Sequence, residues 1–138
     1  MKEANLKIAF VCIGNSCRSQ MAEGFARAMY KESVEIFSAG TSPSKQVAVN
    51  AIEVMRQEGI DISEYSPKSL LEIPAMLDIV IKMGCEISCP ELSGKIIEDW
   101  GIEDPWGGDL PKYSESRDLI RKKILQLGEK FQLLILNM

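Results

Sequence analysis

Residues 6–19, Leu-Lys-Ile-Ala-Phe-Val-Cys-Ile-Gly-Asn-Ser-Cys-Arg-Ser, restrict the folding of this chain more than any other segment. An apolar run short enough for a strand reaches Cys12, and Arg18 follows after five intervening residues. Gly14, Asn15 and Ser16 are small or turn-forming, so the backbone between them can bend until successive N–H groups converge on one tetrahedral anion. The oxyanion-binding set read from this spacing is Ile13, Gly14, Asn15, Ser16, Cys17 and Arg18. Arg18 offers a planar fork of donors to two anion oxygens, and the helix expected to begin nearby turns its positive end toward the same point. That field favours a thiolate at Cys12 and sets a nucleophile against the central atom of a bound oxyanion.

Further apolar runs at residues 34–37, 77–82 and 95–97 alternate with segments of helical spacing, which predicts an α/β fold with a parallel sheet. Met21, Phe25, Ala26, Met29 and Tyr30 recur at three- and four-residue steps and predict a helix over 16–31. A second helix is expected over 45–58, after Pro43 and terminated by Gly59. The last is expected from about 116, carrying Ile120, Ile124, Leu127, Phe131 and Leu134, weakened at Gly128 and followed by a packed apolar tail. Cys12, residues 38–42, 82–89 and 98–106 then fall at the carboxyl ends of strands, where open α/β sheets bind ligands. With 138 residues and no repeat or linker, one domain over residues 1–138 is expected.

A net charge of −4 argues against nucleic-acid or membrane-surface partners. The chain has no signal-like start and no long apolar stretch, so a soluble, cytoplasmic protein is expected, taken to act as a monomer. It contains no histidine, which excludes a cysteine–histidine dyad, a serine triad and histidine-ligated metals. Its four cysteines, without a secretion signal, point to thiols, ligands or redox partners rather than a disulfide framework. Cys12, Cys17, Cys85 and Cys89 have the number for a four-thiolate zinc site. Zinc would leave Arg18 as an unneeded cation beside a metal, so anion binding accounts better for the spacing and no metal is expected.

Val-Cys-Ile-Gly-Asn-Ser-Cys-Arg-Ser-Gln-Met-Ala-Glu-Gly, residues 11–24, resembles the signature of the low-molecular-weight tyrosine phosphatase fold family. It is most similar to the arsenate reductases built on that fold, which carry glutamine, as at Gln20, where the phosphatases usually have proline. Ser38-Ala39-Gly40-Thr41, Asp61-Ile62-Ser63 and Asp99-Trp100-Gly101-Ile102-Glu103-Asp104-Pro105 match later family blocks in order, so the resemblance covers nearly the whole chain. It implies a single-domain, four-stranded parallel sheet flanked by helices. It also implies that Cys12 is the nucleophile, that Ser19 donates a hydrogen bond to it, and that Asn15 holds the loop. Read without the family, Ser16 and Ser19 are ordinary helix caps. An acid must protonate the departing oxygen; with histidine absent, Asp104 beside the rigid Pro105 is the candidate, as the family supports.

Lys-Met-Gly-Cys-Glu-Ile-Ser-Cys-Pro, residues 82–90, separates reductase from phosphatase. In the thioredoxin-coupled reductases that this region resembles, one cysteine attacks the arsenylated nucleophile and expels arsenite, and a second then relieves the first. Cys85 and Cys89 would take those parts, with electrons from thioredoxin or a similar thiol donor and no bound cofactor. A disulfide brings Cβ atoms to about 3.8 Å, whereas residues four apart on a helix hold them at about 5–6 Å, so this segment must be a loop or unwind. Three residues separate the two cysteines here, against six in the better-known reductases. The alternative is a phosphatase that hydrolyses aryl phosphates through a Cys12 phosphocysteine. Trp106 favours it if it walls a tyrosyl slot, as in the phosphatases; its other reading is cover for the core edge. Trp100 is assigned to packing, and Cys17 faces either pocket or core. Some reductases of the group bind potassium through asparagine, glutamate, serine and aspartate. Asn15, Glu23 and Ser38 match, but Pro67-Lys68 stands where the fourth ligand belongs, so potassium is not expected.

Overall fold

The computed structural model describes residues 5–84 and 92–135. In chain order the elements are β1 (Leu6–Cys12), α1 (Arg18–Met29), β2 (Val34–Gly40), α2 (Val49–Arg56), a 3-10 turn (Leu70–Glu72), β3 (Met76–Lys82), β4 (Ser93–Asp99) and α3 (Leu110–Lys130). The four strands pair in parallel in the order β2-β1-β3-β4. Ile8 to Val11 of β1 are wholly buried, as an internal parallel strand covered on both faces requires. Exposed and half-buried residues alternate along the edge strand β4. Helix α1 lies on β1 and β2 and is covered in turn by α3, so Met21, Ala22, Phe25 and Ala26 lose all solvent contact. Burying a side chain the size of Phe25 contributes about 1.5–3 kcal/mol. Trp100 stacks at a tilt on Phe10 with ring centroids 5.8 Å apart, the packing role expected of it.

Every strand reaches at least as far as its apolar run, because the parallel ladder carries pairing on to Cys12 and Gly40 whatever their side chains. Helix α1 begins at Arg18 rather than 16, because the backbone at Cys17 (φ −129°, ψ −82°) is still non-helical. Helix α2 is shorter than the expected 45–58, since residues 41–48 are drawn off to another task described below. Helix α3 begins six residues before the expected 116. Asp109 caps it by accepting the Lys112 N–H, and Pro111 occupies its first turn, where a missing N–H costs nothing. Gly128 does not end it: a Cβ there would meet Leu134 at 2.5 Å, so the glycine admits the returning chain. Leu134 bridges antiparallel to Tyr30 and Leu133 is buried, so these two tail residues are packed, whereas Ile135 is exposed. Among the described residues no helix is long and apolar enough to cross a membrane. The ends of all four strands, Cys12, Gly40, Lys82 and Asp99, lie along one edge of the sheet.

Candidate active site

Beyond β1 the backbone carbonyls of five consecutive residues are pulled outward. Cys12 O accepts from Thr41 N–H at 3.2 Å, Ile13 O from Ser42 at 2.8 Å and Gly14 O from Ser44 at 2.9 Å. Asn15 O accepts from Gln20 Nε2 at 3.0 Å, and Ser16 O from Ala48 N–H at 2.9 Å. No peptide bond described is cis. In a planar trans peptide the N–H opposes the C=O, so the amides of residues 13–17 turn to the inner side of the loop. This is the cradle expected from the sequence, and the segment 41–48 is the clamp that shapes it. Gly40 is indispensable to that packing, because a Cβ there would lie 2.5 Å from Ile13 O. Asn15 adopts φ 49°, the left-handed turn that asparagine tolerates. No side chain caps α1, which leaves its first-turn amides to the cradle and removes the capping role for Ser16 and Ser19.

At the floor lies the Cys12 sulfur, 2% exposed. It accepts the Asn15 N–H at 3.2 Å and lies 2.8 Å from Ser19 Oγ. Ser19 Oγ itself accepts from Asn15 Nδ2 at 2.7 Å, which leaves its own proton available to a Cys12 thiolate. Arg18 is 1% exposed and fixed by Ile102 O, which accepts from one terminal nitrogen at 3.0 Å. Its other terminal nitrogen stands 3.6 Å from Asp104 Oδ2. Asp104 is two-fifths exposed and accepts the Trp106 N–H at 3.0 Å through Oδ1, which steadies the carboxylate at the rim. The geometry thus unites a buried sulfur, converging amides, a guanidinium and a solvent-reached carboxyl. Such a set can bind a tetrahedral oxyanion, attack its centre and protonate a departing oxygen.

Residues 7–133 match the low molecular weight phosphotyrosine protein phosphatase family. The chain belongs to that family. Among its relatives is a putative arsenate reductase of Halobacterium salinarum, 36% identical over 94% of this chain and 95% of its own. A glutaredoxin arsenate reductase of Synechocystis is 37% identical over 90% of this chain and 97% of its own. A solved arsenate reductase in the phosphate-binding state superposes with a TM-score of 0.81, 37% identity, and coverage of 91% of this chain and 98% of its own. The fold, a parallel four-stranded sheet with helices, is that of the phosphatase family.

The remaining expectations divide. Cys17 belongs to the core: it is 3% exposed, its sulfur lies 3.5 Å from the Tyr113 hydroxyl and 3.6 Å from Ser16 Oγ, and burial pushes its thiol above the ordinary range. Only its peptide N–H faces the cradle. Trp106 does not cover the core edge; it is 65% exposed and borders a cavity of about 400 Å³ with Val49, Asn50 and Tyr113. Asn15, Ser38 and Glu23 meet, but Asn15 turns its donor nitrogen to Ser38, and Ser38 Oγ donates to Glu23 Oε1. Glu23 Oε2 is taken by Arg27, and Lys68 Nζ reaches Ser66 O, so the potassium ligands of some family members do not form a cation site here. Among the described residues no group of three or more metal-ligating side chains could hold a metal ion. Cys85 and Cys89 lie outside the described residues. The sequence reading missed the clamp at 41–48 and the partners Lys68 and Tyr113. Backbone-to-backbone bonds leave no residue signature, and only the family block at 38–41 marks the clamp's start.

Proposed function

We propose that this protein reduces arsenate to arsenite, a role in arsenic detoxification. The observation that carries the reading is the Cys12 sulfur held by Ser19 Oγ at 2.8 Å and the Asn15 amide at 3.2 Å inside a ring of inward amides. Cys12 Sγ bonds to arsenic, and one arsenate oxygen leaves as water with a proton from Asp104. Cys85 then attacks Cys12 Sγ: a Cys12–Cys85 disulfide forms, the sulfur–arsenic bond breaks, and its electron pair stays on arsenic, which departs as arsenite. Attack by Cys89 on Cys85 moves the disulfide to Cys85–Cys89 and returns Cys12 to the thiol. A small thiol protein of the thioredoxin or glutaredoxin kind reduces that disulfide, and no bound cofactor takes part. The relatives named arsenate reductase support the substrate, and the Synechocystis name supports a thiol donor. Such thiol turnover suits the reducing cytoplasm.

A second reading, phosphatase activity on aryl phosphates, is favoured by Trp106, an exposed residue that borders a cavity while its N–H is held by Asp104 Oδ1. One experiment separates the two. Arsenate-dependent oxidation of thioredoxin or glutaredoxin is compared with hydrolysis of an aryl phosphate, in the parent and in Cys85→Ser. The proposal expects arsenate turnover that vanishes in Cys85→Ser while any hydrolysis persists; hydrolysis alone, with no arsenate-dependent oxidation, would overturn it.

A further inference from the structure

Of the two edge strands, β2 is met at Gly40 by a bridge to Ser69, whereas among the described elements β4 packs only against β3. Ser93 N–H donates to Ala75 O at 2.8 Å, so Ser93 and every second residue after it turn their peptide groups toward β3. The N–H and C=O groups of Gly94, Ile96 and Glu98 are left pointing outward, a row able to pair with another strand. Trp100 N–H turns back to Lys82 O at 2.8 Å and ends that row. One face of β4 carries Ile96 and Glu98, with Glu98 held by Lys130 at 3.6 Å. The other carries the exposed Ser93, Lys95, Ile97 and Asp99. Ile97 is 54% exposed, and the Lys95 side chain is 84% exposed, its ammonium 3.8 Å from Asp78. Asp99 accepts the Gly101 N–H at 2.9 Å through Oδ1.

We propose that two copies of this chain join through β4, antiparallel and two-fold symmetric about Ile97, to make one continuous eight-stranded sheet. The register follows from pairing and charge. Outward peptide groups must oppose outward ones, so the axis has to pass through a single residue of β4. An axis at Lys95 sets two lysines face to face, and one at Glu98 sets two glutamates; one at Ile96 places Lys95 against Ile97. Within β4, only the axis at Ile97 opposes unlike charges. Ile96 and Glu98 of one copy then exchange backbone hydrogen bonds with Glu98 and Ile96 of the other. Lys95 stands directly opposite Asp99 on both sides of the axis, and the two Ile97 side chains meet in a non-hydrogen-bonded pair, where opposed residues come closest. Lysine on an edge strand discourages pairing in general; an aspartate placed opposite makes the same lysine select one register. Because the two β4 strands run in opposite directions, the two cradles open at opposite ends of the dimer. The proposal departs from the monomer taken from the sequence, which shows neither the open edge nor its register.

The test is sedimentation equilibrium of the full chain, kept reduced, from micromolar to millimolar concentration. The parent is expected to show a reversible monomer–dimer equilibrium that salt weakens. Lys95→Asp and Asp99→Lys should each weaken dimerisation by about ten- to hundredfold, because two symmetry-related pairs turn from attractive to repulsive. The double variant, with the charges exchanged, should return to within about threefold of the parent, since the opposed pairs are restored. Ile97→Asp, which sets two carboxylates together on the axis, should leave only monomer. All three side chains are exposed, so melting temperatures of the monomers should stay near the parental value. A parent that stays monomeric throughout overturns the proposal. So does a dimer indifferent to the single charge changes, or one not recovered in the double variant; if Asp99→Lys does not fold, Lys95→Asp and Ile97→Asp decide.

Discussion

Replacing Gly40 by alanine should strike the cradle from behind. A Cβ at this position would lie 2.5 Å from Ile13 O, 2.9 Å from Asn15 N and 3.0 Å from Gly14 C, all backbone atoms. Carbon and oxygen rest about 3.3 Å apart or more, so the Ile13 carbonyl must retreat by roughly 0.8 Å. It has little freedom to do so, since it accepts the Ser42 N–H at 2.8 Å while Gly40 N–H is held by Lys68 O at 2.8 Å. The strain therefore passes to the inward amides of residues 13–15. Overpacking of this kind costs about 1–3 kcal/mol, and a misplacement near 1 Å at reacting groups costs on the order of 10²-fold in rate. Gly40→Ala is expected to melt roughly 3–12 °C lower and to lose on the order of 10²-fold in kcat/KM, with phosphate affinity falling in parallel. Gly59→Ala is the control: φ is +77° with nothing within 4 Å of the added carbon, so it should lose about 1 kcal/mol of stability but no phosphate affinity. Calorimetric titration with phosphate and differential scanning calorimetry read both quantities. Parent-like phosphate binding in Gly40→Ala would refute the claim that β2 shapes the cradle.

Two further predictions follow from the interior. Ser19→Ala removes the hydroxyl 2.8 Å from Cys12 Sγ; a bond to a charged group is worth about 1.5–3 kcal/mol, so kcat should fall on the order of 10- to 100-fold with KM nearly unchanged in steady-state assays. Burial raises the phenols of Tyr30, Tyr65 and Tyr113 above their ordinary range. These groups favour the folded state fully below the unfolded value of about 10, and that contribution is lost as pH rises beyond it. Phenolate absorbance should therefore lag behind that of a denatured sample above about pH 10, and denaturant midpoints should fall over the same range; a phenolate curve matching the denatured one would contradict the burial of these rings.

The nucleophile, the arginine and the small residues between them could be read from residues 12–18 alone, because a phosphate-type cradle packs its donors into one short stretch. What shapes the cradle could not. Thr41, Ser42, Ser44 and Ala48 act through backbone N–H groups that many other residues would supply equally well, so no side chain announces them. The early start of α3 was legible in principle, with Asp109 and Pro111 at cap and first turn. Its apolar spacing becomes regular only from Ile120, and periodicity outweighed the cap signal. Trp106 could not be decided from its residue type, since a large apolar ring suits either a slot wall or the core edge; the structure holds it out in solvent beside the turn that Asp104 caps. Asp104 itself needed its family block, since aspartate before proline is an ordinary turn.

The most direct test is a single turnover without an external reductant. Fully reduced protein is mixed with excess arsenate, then arsenite released and thiols lost are counted per chain. Two electrons from two thiols reduce one arsenic, so one arsenite and two thiols per chain are expected, and none of either from Cys12→Ser. Arsenite formed by Cys12→Ser, or thiols left intact in a parent that binds arsenate, would contradict the account.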